Sequence, residues 1–311
     1  MQPSDVPTCY RHPDRETYVR CGRCERYICP DDMISASVGF QCPECVKAAN
    51  SGVRQARTVA GGKVSANPGL ITAILLGINV ALFLAVQGSN SLLERLLLVP
   101  FTFDGNGVAQ DGYYRLITAA FLHQQTFHIV LNMLFLWLFG RPLEAALGRS
   151  RYLATYLICG LGGSTASYLF NSPRTASLGA SGAVFGVISV LLVVERRFGS
   201  DPRGVLIALA ILILPGMLIP NVDWRGHVGG LLTGLALGAV YVYAPRQGRL
   251  VWHAGALVGV TVVLAALCLV RTERLKEQFE LSSGPAVVHS GDNRCGELQR
   301  CNSATATWWR R

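Results

Sequence analysis

Half of this 311-residue chain is hydrophobic and only 15% is charged, and its mean hydropathy is +0.35. That composition excludes an ordinary soluble enzyme and points to a membrane protein. The net charge of +9 does not point to nucleic acid. The basic residues lie in the N-terminal segment and in short loops between apolar runs, a placement that orients helices in a membrane. No cleavable signal sequence opens the chain, so the polar residues 1–69 are expected to stay on the side where they are made.

The head comes first. Six of the ten cysteines precede residue 46, in the pattern Cys9-x2-His12, Cys21-x2-Cys24, Cys29-x2-Asp32, Cys42-x2-Cys45. Four pairs at two-residue spacing are a zinc signature, and in a reducing compartment they do not read as disulfides. Eight ligand positions suit two tetrahedral ions. Free thiols in a small fold are the weaker reading, because so short a segment buries little core. The alternation of the pairs resembles cross-braced zinc modules of the B-box kind. That resemblance implies one ion on Cys9, His12, Cys29 and Asp32, with Asp31 competing for the carboxylate position, and a second on Cys21, Cys24, Cys42 and Cys45. Both ions are expected to be structural. The module, residues 1–46, is expected to meet a cytoplasmic partner or a lipid surface.

Residues 47–69 read as a linker, with Ser51-Gly52, Gly61-Gly62 and Asn67-Pro68. Seven apolar runs follow, near 70–88, 125–140, 152–170, 178–194, 204–220, 227–244 and 251–270. Each approaches the roughly 20 residues that an α-helix needs to cross the hydrocarbon. An open sheet is excluded in lipid, and the runs lack the alternation of a barrel. The expected fold is an all-α polytopic membrane protein. The core spans 70–245, a seventh helix 246–270, and a polar, disordered tail 271–311. With the N-terminus cytoplasmic, seventeen Lys and Arg fall inside against four outside before the tail is counted, so a multi-pass cell-membrane protein with its C-terminus outside is expected. The stretch 89–124, with Leu92, Leu93, Phe101, Tyr113 and Tyr114, reads as an amphipathic element at the outer interface.

Two polar groups in the apolar runs carry chemistry. Ser181 opens the fourth run in Gly179-Ala180-Ser181-Gly182, and His227 opens the sixth in Arg225-Gly226-His227-Val228-Gly229-Gly230. Ionisable groups at that depth are costly and functional by default. A serine with a histidine that enters from the same side is the minimum set for nucleophilic catalysis. His128 and Asn132, four apart on the second run, share one helix face and can donate to an oxyanion together with the Ser181 backbone N–H. Glycines 226, 230, 234 and 238, and 182 and 186, recur every four residues and allow close helix approach in lipid. Asp223 reads as a loop-end residue facing water and, less readily, as a third member of a triad.

Residues 113–240 resemble the rhomboid family of intramembrane serine proteases. The matching pieces are Tyr114-Arg115, His123 followed by His128 and Asn132, Glu144, Gly179-Ala180-Ser181-Gly182 and Gly226-His227-Val228-Gly229-Gly230. The resemblance implies a six-helix core with one helix added after it. It also implies a dyad of Ser181 and His227 and an oxyanion hole of His128, Asn132 and the Ser181 backbone, with structural roles for His123, Arg115 and Glu144. Tyr114 stands where the family often has Trp, and Phe185 where some members have Tyr. The expected function is a serine endopeptidase that needs no cofactor for catalysis and cuts single-pass membrane proteins near the outer face. Its alternatives are a non-catalytic relative that binds membrane helices, or a transporter. The latter would show midplane charges that these runs lack. Cys159 and Cys268 lie in spans and are expected to behave as small apolar residues; His253 and His289 are assigned no role, and Cys295 and Cys301 could pair.

Overall fold

The computed structural model describes residues 6–51, 57–62, 64, 67–102, 104–173, 175–218 and 222–283. The tail cysteines and His289 lie outside them. The chain divides into two compact units, Met1–Val64 and Ser65–Arg311.

The first unit is built on almost no regular structure. Strands β1 (Ile34–Ser35) and β2 (Phe40–Gln41) form an antiparallel hairpin in the register Ile34 to Gln41. Its turn uses Gly39 at φ +67°, a conformation glycine takes without steric cost. Helix α1 (Pro43–Ser51) follows. The buried cluster consists of Ile28 with Cys21 and Cys42, flanked by Tyr10, Val19 and Met33. Cysteines therefore stand where a larger domain would place aliphatic side chains.

The second unit is all-α: α2 (Leu70–Gln87), α3 (Asn90–Leu96), α4 (Arg115–Thr118), α5 (Thr126–Leu147), α6 (Arg149–Phe170), α7 (Ser181–Phe198), α8 (Arg203–Leu218), α9 (Trp224–Tyr243) and α10 (Arg249–Ser283). All seven apolar runs are helices, so the expected all-α polytopic membrane fold holds. Among the described residues α2, α5, α6, α9 and α10 are long and apolar enough to cross a membrane. Helix α7, with 18 residues like α2, carries Glu195, Arg196 and Arg197 near its end and is not among them, but it is the hub of the unit. Every residue from Gly182 to Leu191 is buried, the signature of a helix enclosed on all sides.

Two buried charges staple this unit. Glu144 on α5 accepts from the backbone N–H of Ile71 at 3.1 Å and of Thr72 at 2.9 Å, and from the Thr72 hydroxyl at 2.9 Å. The N-cap of α2 is Gly69, which has no side chain to cap with. A carboxylate from another helix thus satisfies its free N–H donors and faces its positive dipole end. Glu144→Gln turns an amide N–H₂ toward one of the two backbone N–H donors, whichever way it is placed. A loss of about 1.5–3 kcal/mol is expected in the unfolding of the purified chain, the range for a hydrogen bond to a charged group. Arg115, equally buried, donates to the carbonyls of Asn106 at 2.5 Å, Glu94 at 2.7 Å and Leu97 at 2.8 Å. It thereby pins the loop between α3 and α4.

Two features depart from expectation. The last helix does not end near residue 270. It runs for 35 residues to Ser283, about 52 Å at about 1.5 Å per residue, against a hydrocarbon core of about 30 Å. Cys268, Thr272, Leu275 and Phe279 fall on one stripe. Cys268 and Leu275 are buried in the cluster with Leu98, Val108 and Tyr168, Thr272 hydrogen-bonds Tyr168 at 2.8 Å, and Phe279 stacks on Phe101 at 5.2 Å. An apolar stripe inside a charged run escapes a reading by mean hydropathy. His253, assigned nothing, is buried: its Nδ1 accepts from Arg151 Nε at 3.1 Å and its ring meets Tyr241 edge-on at 5.1 Å. It helps to fasten α10 to α6 and α9.

Candidate active site

Ser181 is the first residue of α7, so the N–H groups of its turn have no intrahelical acceptor. The chain reaches it through Gly179, which is held at φ +134°, a value that L-residues rarely adopt. A Cβ at 179 would sit 2.8 Å from His128 Cε1, 3.0 Å from its Nε2 and 3.7 Å from Ser181 Oγ. Gly179 therefore lets the His128 ring stand beside the entry to Ser181. His128 also meets His123 edge-on at 5.0 Å, and the Ala180 N–H donates to His123 Nε2 at 3.5 Å. Asn132 is buried one turn along α5, and its amide donates to the His128 carbonyl at 3.1 Å.

His227 lies in the first turn of α9. Its ring stacks on Phe185 at 4.5 Å between centroids and 20° between planes, and Phe185 is one turn after Ser181. Phenylalanine here does the stacking without a hydroxyl. The helices meet through glycines: a Cβ on Gly163 of α6 would lie 2.9 Å from the Gly226 carbonyl of α9 and 3.0 Å from Gly182 Cα of α7. Ser181 and His227 thus enter one junction. Among the described residues no hydrogen bond joins them, and His227 Nδ1 is buried without a partner.

Behind Ser181 a small open pocket is lined by Ser164, Ser167, Ser177 and Asp223. Asp223 is half-buried, and its carboxylate makes no hydrogen bond to the His227 ring. It is the N-cap of α9, accepting from the Gly226 N–H at 3.3 Å. Its other oxygen accepts from the Ser177 hydroxyl at 2.5 Å and from Ser167. An N-cap aspartate before a helix was readable in the sequence. Its serine partners, 46 and 56 residues away, left no local signal.

In the head, among the described residues, two groups of four side chains could hold a metal ion: Cys21, Cys24, Cys42 and Cys45, and Cys9, His12, Cys29 and Asp32. Asp32 lies 3.3 Å from Cys9 Sγ and 3.1 Å from His12 Nδ1, while Asp31 is turned away to pair with Arg15. Arg11 holds the second oxygen of Asp32 at 2.9 Å. Arg26 donates to Cys24 Sγ at 3.3 Å and lowers its thiol pKa. Burial pushes Cys21 up, but backbone N–H donors of Cys42, Arg23 and Cys24 outweigh it and bring it to about 6. Sharing hydrogen bonds with Cys42 and Cys24 drives Cys45 the other way, to about 12.

With this geometry in place, a family model described as the Rhomboid domain matches residues 110–244. The chain is also 31% identical over 141 residues to the putative rhomboid protease YdcA of Bacillus subtilis, covering 44% of this chain and 71% of that protein. The chain belongs to the rhomboid family. It is 31% identical over 186 residues to the rhomboid protease GluP of Bacillus subtilis, covering 57% of this chain and 36% of the relative. It is 38% identical over 168 residues to RHOMBOID-like protein 6, mitochondrial, of Arabidopsis thaliana, covering 51% and 53%. The chain thus spans about half or less of the length of these last two relatives. Rhomboids named as proteases place it in a family of intramembrane serine proteases, and the domain match begins well after the cysteine-rich head.

Proposed function

We propose that this rhomboid is itself a serine endopeptidase acting on membrane-anchored proteins, with Ser181 as nucleophile and His227 as base. The observation that carries this reading is the stacking of His227 on Phe185, one turn from Ser181, at a junction of helices packed glycine against glycine. Ser181 Oγ attacks the scissile carbonyl carbon and His227 takes the hydroxyl proton. The Ser181 N–H, His128 and Asn132 stabilise the oxyanion. As the intermediate collapses, His227 returns the proton to the leaving amine. Water then attacks the acyl-serine ester, again losing its proton to His227, and the polar cavity behind Ser181 supplies a hydrated route. A substrate helix must unwind for its carbonyl to be reached, so small or helix-breaking residues near the cut favour cleavage. The Lys and Arg bias supports a cytoplasmic N-terminus and cutting near the outer face. Single-pass membrane proteins are the substrate class and lipid the surroundings.

The head, in the same reading, binds two structural zinc ions. A tetrahedral ion with thiolates at about 2.3 Å keeps its sulfurs about 3.8 Å apart, and Cys24 Sγ and Cys42 Sγ are 3.7 Å apart. Bound zinc ties distant loops together and does no chemistry on the substrate. The head's role is to bind a cytoplasmic partner or a lipid surface.

The test is co-expression with a tagged single-span reporter. The wild type cuts it and is labelled by a fluorophosphonate. Ser181→Ala and His227→Ala each lose at least about 10³-fold in rate, as members of such units do. A wild-type chain that leaves several reporters whole and resists the label sinks this reading and favours a helix-binding relative without catalysis.

A further inference from the structure

The carboxylate of Asp223 ties together three segments that the reaction needs in register. One oxygen caps α9 through Gly226, the residue before His227. The other receives the hydroxyl of Ser177, four residues before Ser181, at 2.5 Å, and that of Ser167 on α6. The Ser177 backbone is itself fixed: its N–H donates to the Leu98 carbonyl at 2.9 Å and its carbonyl accepts from the Leu98 N–H at 3.0 Å. Space for this arrangement is kept by the missing side chain of Gly226, whose Cβ would lie 2.9 Å from Ser167 Oγ and 3.4 Å from Asp223 Oδ2. Asp223 makes no hydrogen bond to the His227 ring, whose buried Nδ1 has no partner, so the carboxylate does not orient the imidazole directly.

We infer that Asp223 is a positioning residue: a three-way clasp with Ser167 and Ser177 that sets the start of α9, and with it His227, against the segment leading into Ser181. The inference rests on the protease reading for its consequence and on the hydrogen bonds for its existence. Charge-assisted bonds of this kind are short and strong, and a shift of about 1 Å between reacting groups can cost about 100-fold in rate. The role is carried by hydrogen-bond geometry, since asparagine can reproduce it. Its oxygen accepts from the Gly226 N–H, and its N–H₂ donates to serine hydroxyls that turn to accept.

The experiment uses the full chain in detergent micelles and measures the rate of fluorophosphonate labelling of Ser181 at saturating probe, together with hydrogen exchange. Asp223→Ala is expected to slow labelling about 10- to 100-fold with the half-saturating probe concentration unchanged. Asp223→Asn should stay within about 5-fold of wild type. Ser167→Ala with Ser177→Ala should reproduce Asp223→Ala, and adding Asp223→Ala to that pair should cost little more, the non-additivity of a shared unit. In hydrogen exchange, Asp223→Ala should expose amides at residues 224–228 and 176–182 together. The clasp is overturned if Asp223→Ala labels and exchanges like wild type, or if Asp223→Asn is as slow as Asp223→Ala, which would assign the effect to charge. Should the wild type itself not be labelled, the protease reading falls, and the exchange data still decide whether the clasp exists.

Discussion

Gly230→Val is expected to abolish the proposed cleavage, and Gly259→Val to leave it near the wild-type rate. A Cβ at 230 would strike the carbonyl oxygen of Gly182 and come within 2.6 Å of its carbonyl carbon and 2.8 Å of its Cα. These are backbone atoms, so no side chain can swing aside, and the helices must separate. Overpacking a tight core costs about 1–3 kcal/mol and occasionally more; a clash with backbone on both sides belongs at the upper end. The same approach carries Ser181 on α7 and His227 on α9, so the proposed catalytic pair is expected to part as the helices do. Gly259 on α10 has open space where a Cβ would go, so the control changes the same residue type in the same kind of helix. Reporter cleavage gives the first readout and thermal unfolding of the purified chains the second. Cleavage by the Gly230→Val chain at more than a tenth of the wild-type rate would mean that α7 and α9 do not need this contact.

That contact was readable in the sequence, since glycines at four-residue spacing have one main use in lipid. The helices were readable for the same kind of reason: an apolar run in a membrane protein has few options, and all seven runs became helices. What escaped notice depended on partners far along the chain. Asp223 looked like a loop end because nothing near it in sequence hints at Ser167 or Ser177. His253 looked solitary because Arg151 is 102 residues away. The extension of α10 was hidden by its charges, with Leu275 and Phe279 diluted among Arg, Glu and Lys. In the head, two-residue spacing named Asp32 among the ligand candidates but left Asp31 competing with it. They separate only because the chain folds Asp32 inward and leaves Asp31 at the surface beside Arg15.

Zinc removal is expected to unfold the head and to leave the membrane unit standing. Among the described residues the first unit has two strands of two residues each and a buried cluster of Ile28, Cys21 and Cys42, with Val19 and Met33 partly buried against it. Such a core cannot offset the entropy of ordering some forty residues, at about 1–2 kcal/mol each. In small modules of this kind the binding free energy of structural zinc is itself folding free energy. The full chain is therefore expected to carry about two zinc per molecule, and chelation should expose residues 6–51 to protease while the spans stay protected. The sites should empty in order. The cluster with His12 and Asp32 goes first, because two thiolates hold zinc less firmly than four in competition with a chelator. Asp32→Ala should lower the content to about one ion, since it deletes a ligand, whereas Asp31→Ala removes an exposed ion pair with Arg15, worth about 0–1 kcal/mol, and should keep both. A head that resists protease equally with and without chelator would show that the cysteines hold it together without metal. Equal zinc loss in the two aspartate variants would remove the carboxylate from the ligand set and leave Cys9, His12 and Cys29 as an incomplete site.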